Sequence, residues 1–283
     1  VQRAIPFDIP SDVHINFLIH TNPQSALRVI TDRTSGDYIQ LHGDGTLRAT
    51  YYNKGAFSLY GNYVVNDGIY KLTIQNIIHR QFSFMQGGTI AFGGDPYAAH
   101  LNLSAQYMVN GVSLSDLHLG RSFASSNIRV NCMMNITGTP SAPQVSFDMD
   151  MPSVGTDAKR MIMSIINSEE EKNQQVLYLL AVGRFYSQGV NNAATENDIQ
   201  QNQTSLAMQS ILSGQLSQQI NNILSSVVNS SNWNFGANIS TGDEGWNNAE
   251  YEGLVSGRLF NNRLLFNGQF GYRDNATATT SFI

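Results

Sequence analysis

Residues 61–105 read GNYVVNDGIYKLTIQNIIHRQFSFMQGGTIAFGGDPYAAHLNLSA, and their pattern decides the fold. Apolar and aromatic residues return at every second position, and glycines cut them into short runs. Tyr70, Leu72 and Ile74 share one strand face, as do Phe82 and Phe84, then Ile90 and Phe92, then Leu101, Leu103 and Ala105. A period of two is the strand period, because successive side chains point to opposite faces. The Gly-Gly-Asp-Pro run at 93–96 supplies a tight turn. Nothing in the stretch can hold a proton relay, a metal or a phosphate. It builds a surface, and function is to be sought in a surface.

Upstream the same alternation holds. Val13, Ile15, Phe17 and Ile19 form one register, followed by Leu27 and Val29, then Ile39 and Leu41. Asp44-Gly45 is expected to be a hairpin-type turn. Leu47, Ala49 and Tyr51 resume the pattern, then Phe57, Leu59, Gly61 and Tyr63. Turn residues recur at intervals of about 8–12, the rhythm of stacked or meandering strands. Downstream, Ile128, Val130, Cys132 and Met134 make another apolar register. Residues 1–155 therefore read as one β segment.

Residues 156–231 read as helical. Met161, Ile162, Ile165 and Ile166 recur at helical spacing, and Val176, Leu177, Leu180 and Ala181 make a second stripe. Glu169–Glu171 form a solvated acidic cluster, and residues 191–203 read as a loop. Leu212, Leu216, Ile220, Ile223, Leu224 and Val227 step by three or four, an amphipathic helix. Its other face is Ser, Gln and Asn, so it gains little from surface ion pairs and is expected to pack its stripe on the sheet or on a partner. Residues 232–283 return to strands. Trp233, Phe235, Ala237 and Ile239 alternate, and Asn261-Asn262 joins strands at Leu254–Phe260 and Arg263–Tyr272.

The 283 residues allow one or two domains, and charged residues are only 13%, against about 25% in ordinary soluble domains. A net charge of −5 gives no basic patch for nucleic acid. No apolar run approaches the ~18 residues of a membrane-spanning helix. Cys132, the single cysteine, sits on an apolar strand face as a small hydrophobe without a basic neighbour to activate it. The histidines have no zinc spacing. Asp148 and Asp150 share a face opposite Phe147, Met149 and Met151, which reads as a solvated strand face rather than an acid–base pair. Neither a nucleophile elbow nor a phosphate loop is present. No catalytic or metal site is expected.

Taken together, the spacing of Gly68, Tyr70, Leu72, Phe82, Gly88, Ile90, Phe92, Gly94, Asp95, Pro96, Leu101, Leu103 and Ala105 resembles the carboxy-terminal domain of the TamB family. Those are Gram-negative envelope proteins related to AsmA-like bridge proteins. Three later segments resemble it too: Ile136–Pro140 with Pro143 and Phe147, the helical run Val176–Phe185 with Gly183-Arg184, and the closing strands Arg258–Tyr272.

The resemblance implies a mainly β fold, an elongated sheet rolled into an open, β-taco-like trough, with a helical insertion and terminal strands. It implies a non-enzymatic periplasmic bridge that passes phospholipid to the outer membrane, helps assemble outer-membrane proteins, or both. No cofactor is implied beyond bound phospholipid. The implied partner is an outer-membrane barrel of the BamA/TamA class, and membrane contact runs through an amino-terminal anchor upstream of Val1. The terminal strands are expected to continue past Ile283. Groove candidates are Tyr70, Leu72, Ile90, Phe92, Leu101, Leu103, Ala105, Ile128, Val130, Cys132 and Met134. Docking candidates are Leu259, Leu264, Leu265, Phe266, Phe270 and Tyr272. A fragment of an outer-membrane barrel remains the alternative; an envelope hydrolase finds no constellation.

Overall fold

The computed structural model describes residues 14–52, 55, 57–123, 126–187, 216–229, 250–259 and 264–273. The amino-terminal strands are β1 (His14–Thr21), β2 (Ala26–Asp32), β3 (Asp37–Tyr52), β4 (Ser58–Ile74), β5 (Ile78–Phe84) and β6 (Thr89–Gly94). β7 (His100–Ser113), β8 (Asn127–Gly138) and β9 (Pro143–Asp150) follow. Next come helices α1 (Thr156–Ile165), α2 (Glu169–Val182) and α3 (Leu216–Asn229), then β10 (Glu250–Leu259) and β11 (Leu264–Arg273). All strands join one antiparallel sheet in the order β10-β11-β2-β3-β4-β5-β7-β8-β9, with β1 on β3, and β6 between β4 and β7. Among the described residues the two ends of this path, β10 and β9, do not pair, so the sheet is open and is not a closed barrel.

The sheet is long because β3 and β4 run for 16 and 17 residues. Each long strand serves two sets of neighbours. The first half of β3 pairs with β2 and its second half with β1. The second half of β4 pairs with β5 and its first half with β6. The changeover carries a bulge between His42 and Gly43, opposite Val65–Asp67. Asp44-Gly45 lies here, inside β3 and paired with Val64 and Tyr63. The hairpin turn expected at that pair does not form. Its glycine, like Gly43 beside it, serves close strand approach instead: a Cβ at Gly45 would run into the Asn62 carbonyl oxygen, and one at Gly43 into the Val64 carbonyl oxygen and the Tyr63 ring.

Curling follows from one contact pattern. α3 packs on both β9 and β2, which stand six strand spacings apart in the sheet order. A flat sheet would hold them about 29 Å apart. A helix is only about 10–12 Å across, and 14 residues are about 21 Å long. The sheet must therefore roll until its β9 and β2 margins both reach α3.

Rolling separates two environments. The inner face carries Leu41, Tyr70, Leu72, Phe82, Phe84, Leu103, Ala105, Val130, Met134, Ile136, Phe147 and Met149, all buried. The outer face carries Lys71, Gln81, Ser83, Asn102, Ser104 and Gln106, exposed or half-buried. Apolar-in and polar-out is the reverse of a barrel immersed in lipid.

Helices form where the stripes placed them, α3 running from Leu216 to Asn229, but of the first stripe Ile162 and Ile166 are buried while Met161 and Ile165 are exposed. Glu169–Glu171 form the first turn of α2. The loop at 191–203, the Trp233–Ile239 register, Val13, Leu212 and Asn261-Asn262 lie outside the described residues. On either side of that Asn pair, Leu259 stands opposite Leu264, the pairing of a hairpin.

Candidate functional site, the inner face of the trough

The inner face has a covered end and an open end. At the covered end lie α1, α2 packed on β9 and β5, and α3 packed on β9 and β2. Their apolar residues Ile162, Ile166, Val176, Leu177, Leu179, Leu180, Leu216 and Ile220 join the sheet residues in one continuous core. Each such side chain contributes roughly 1.5–3 kcal/mol on burial, and this end is where the fold draws most of its stability.

α2 is fastened at both ends. Ser168 and Glu171 form a reciprocal capping box, and the backbone N–H groups of Asn167 and Ser168 hold the Glu171 carboxyl below its ordinary range. Gly183 closes the helix in the left-handed conformation, φ 72°, donating its N–H to Leu179 O. Arg184 then grips Asp116 through Nε (3.2 Å) and Nη2 (2.9 Å). Gln175, buried, donates to Tyr186 O at 2.9 Å and accepts from Tyr186 N at 2.8 Å. The Gly183-Arg184 motif is thus the fastening of the helical cap onto the sheet.

β9 forms the rim of the covered end. Asp148 faces Lys172 at 3.8 Å and Asp150 accepts from Lys159 at 2.5 Å. These carboxylates tie α1 and α2 to the rim. The Asp95-Pro96 turn is likewise structural: Asp95 Oδ1 accepts from Tyr97 N at 2.9 Å and Pro96 opens a short 3-10 turn. A buried tie holds β3 to β4 and β5: Asp37 accepts from Thr73 N and Oγ1 at 2.5 and 2.8 Å, and Thr73 Oγ1 meets His79 Nδ1 at 3.0 Å.

The structure brings the groove candidates together on this one face. Tyr70, Leu72, Ile90, Leu103, Ala105, Ile128, Val130, Cys132 and Met134 are buried in the common core, and Phe92 and Leu101 pack against it half-buried. Cys132 lies opposite Tyr107 and Met149, and burial pushes its thiol up to about 12. Most of these residues sit under the helices and touch no solvent.

The face becomes accessible farther along. On β1, Ile15 and Phe17 lie opposite Tyr51 and Ala49. They are 46% and 43% exposed. Leu59 lies opposite Ala49 and Gly94, and Phe92 opposite Gly61. Ile15, Phe17, Leu59 and Phe92 thus share one apolar floor, and Phe92 packs against the covered core. Their alternation is plain in the sequence. What the sequence could not say is that Ile15 and Phe17 stay exposed.

Of the docking candidates, Leu264, Leu265 and Phe266 pair with both β10 and β2, while Phe270 and Tyr272 pair with β10 alone. Leu259 lies on β10, which ends the sheet among the described residues. No group of three or more His, Cys, Asp or Glu able to hold a metal ion occurs among the described residues, and no helix there is long and apolar enough to cross a membrane.

A rolled, open antiparallel sheet with an apolar floor and polar outer wall defines a β-trough protein. The TamB C-terminal domain family model matches residues 2–282, essentially the whole chain. The chain belongs to that family and is a TamB-type envelope protein. No curated protein and no solved structure matches it.

Proposed function

We propose that the chain is the terminal part of a non-enzymatic periplasmic bridge that guides phospholipid acyl chains along its apolar floor toward the outer membrane. The observation that carries this reading is a shared register: Ile15 and Phe17 stand across Tyr51 and Ala49 on the same apolar face as Leu59 and Phe92, and Phe92 packs against the buried core. A headgroup stays in water at the open side while the chains lie on apolar carbon. Charge on that floor is the test. Phe17→Asp places an ion where acyl carbon should lie, and Phe17 is exposed enough for the fold to survive. Phospholipid transfer between donor and acceptor vesicles should fall with Phe17→Asp and stay with Phe17→Leu. Equal transfer by the two variants refutes the conduit.

The carboxy-terminal strands serve the second part of the reading, docking to a barrel of the BamA/TamA class and a role in outer-membrane protein assembly. Because β11 is flanked on both sides over Leu264–Asn267, the edge available for strand addition is that of β10. Consecutive strand residues point their N–H groups alternately to β11 and to the open edge. Of Leu254→Pro and Val255→Pro, one should therefore keep the fold and lose the barrel in a membrane pull-down. If the fold-preserving variant retains the barrel, docking does not use this edge.

A further inference from the structure

We propose that α3 is a releasable clasp that sets how far along the trough an acyl chain can travel. The inference rests on the lipid reading above and concerns the regulation of that same floor.

α3 spans the mouth of the covered end, packing on β9 at one margin and β2 at the other. Its hold is thin. Leu216 and Ile220 are buried, and Ile223 and Leu224 are only partly so. Asn221 Oδ1 accepts the edge N–H of Val145 at 2.7 Å, and Ser217 Oγ donates to Asn173 Oδ1 of α2 at 2.8 Å. The sequence LSQQINNILSSVVN has no charged residue, so no ion pair fixes it. α2, by contrast, buries five residues and carries a capping box, a glycine cap and the Arg184–Asp116 fork. α2 is built in, whereas α3 is laid across. A 14-residue helix is marginal alone in water. Once lifted it keeps its helix only on other apolar surface, and acyl chains supply that. The open floor can then hold lipid at all times, while the Val130–Met149 region receives it only when α3 leaves.

Cys132 reports the event. It is the single cysteine, fully buried on the covered inner face, so its labelling by a maleimide in the full chain measures cap opening. Asn221→Ala should speed labelling about fivefold, the worth of one net hydrogen bond. Asn173→Cys with Ser217→Cys, oxidised to a disulfide, should slow labelling at the Cys132 peptide, and reduction should restore it. Gly61→Ala weakens the sheet at its open end and serves as control. If it speeds Cys132 labelling as much as Asn221→Ala does, or if no variant changes the rate, the clasp is overturned.

The lipid arm uses vesicles containing a phosphatidylethanolamine with a diazirine in its acyl chain. Peptides containing Phe17 should be labelled in the locked and the reduced protein, and peptides containing Phe147 and Met149 only after reduction. Equal labelling of the Phe147–Met149 peptide in both states, or none in either, contradicts the clasp. Loss of labelling at Phe17 instead refutes the lipid reading, and the Cys132 rates still judge the clasp.

Discussion

The side-chain oxygen of Asn221 on α3 accepts the backbone N–H of Val145 on β9 at 2.7 Å. A helix side chain thereby occupies a site that a further strand would otherwise take. Farther along the same strand, Met149 N donates to the side chain of Asp148 at 2.8 Å. Two outward N–H groups of the rim strand are thus spent on side chains, a common way of blunting a sheet edge.

Removing the first of these has a defined cost. Asn221→Ala should lower stability by about 1 kcal/mol, because the lost acceptor outweighs the gain in helix propensity. Asn221→Asp keeps the acceptor and should stay close to the parent. Urea titration of the three proteins checks the order.

Gly61 is held at φ 125° opposite Phe92 and Leu47, where a Cβ would run into the Thr46 carbonyl oxygen. Gly61→Ala should cost about 2 kcal/mol or more, combining backbone strain with the clash. Gly93→Ala meets nothing within 4 Å and has no positive φ, so it should be nearly neutral. Thermal melts of the pair separate this local reason from a general dislike of substitutions in β strands.

Burial raises the Cys132 thiol from 9.0 to about 12. The folded state then holds a proton that the unfolded state releases, so stability is full below pH 9.0 and falls as pH rises toward 12. The steepest slope for one group is about 1.4 kcal/mol per pH unit. Tyr63, raised from 10.0 to about 12 by burial and by Asp44 and Asp67, adds a loss that begins a unit later. Cys132→Ala should therefore flatten the stability curve between pH 9.0 and 10.0 and leave the steeper fall beyond it. Denaturant titrations at stepped alkaline pH read this directly.

Arg184 reaches Asp116 with two donors, and that pairing holds its guanidinium above the ordinary value. Lysine has no fork. Arg184→Lys should lose most of what Arg184→Ala loses, about 1 kcal/mol given the exposed arginine. A double-mutant cycle with Asp116→Ala isolates the pair.

Much of the fold was legible because period two runs along β4 to β9, interrupted by bulges near Asn66 and Asn110, and each register maps onto one wall of the rolled sheet. The helical segment was legible for the same reason at period 3.6. The Asp44-Gly45 turn was misread because glycine marks both turns and close strand approach, and only the neighbouring strand decides between them. The groove candidates were read as one face, and they pack into one common core. That α2 and α3 cover most of that face was invisible, since a stripe such as Leu216, Ile220 and Ile223 says that a helix packs and not on what. The accessible floor at Ile15, Phe17 and Leu59 was passed over for the same reason.

Phe17 and Leu18 give the most direct test of the central claim. They are neighbours on β1, 43% and 57% exposed, and strand geometry sends them to opposite walls, Phe17 to the inner floor and Leu18 to the outer surface. A photoreactive phenylalanine at each position, in the full-length protein in cells, asks which wall meets lipid. Capture of phospholipid at position 17 and not at 18 is the predicted result. Capture at 18 alone, at both positions equally, or at neither contradicts a lipid path along the inner face.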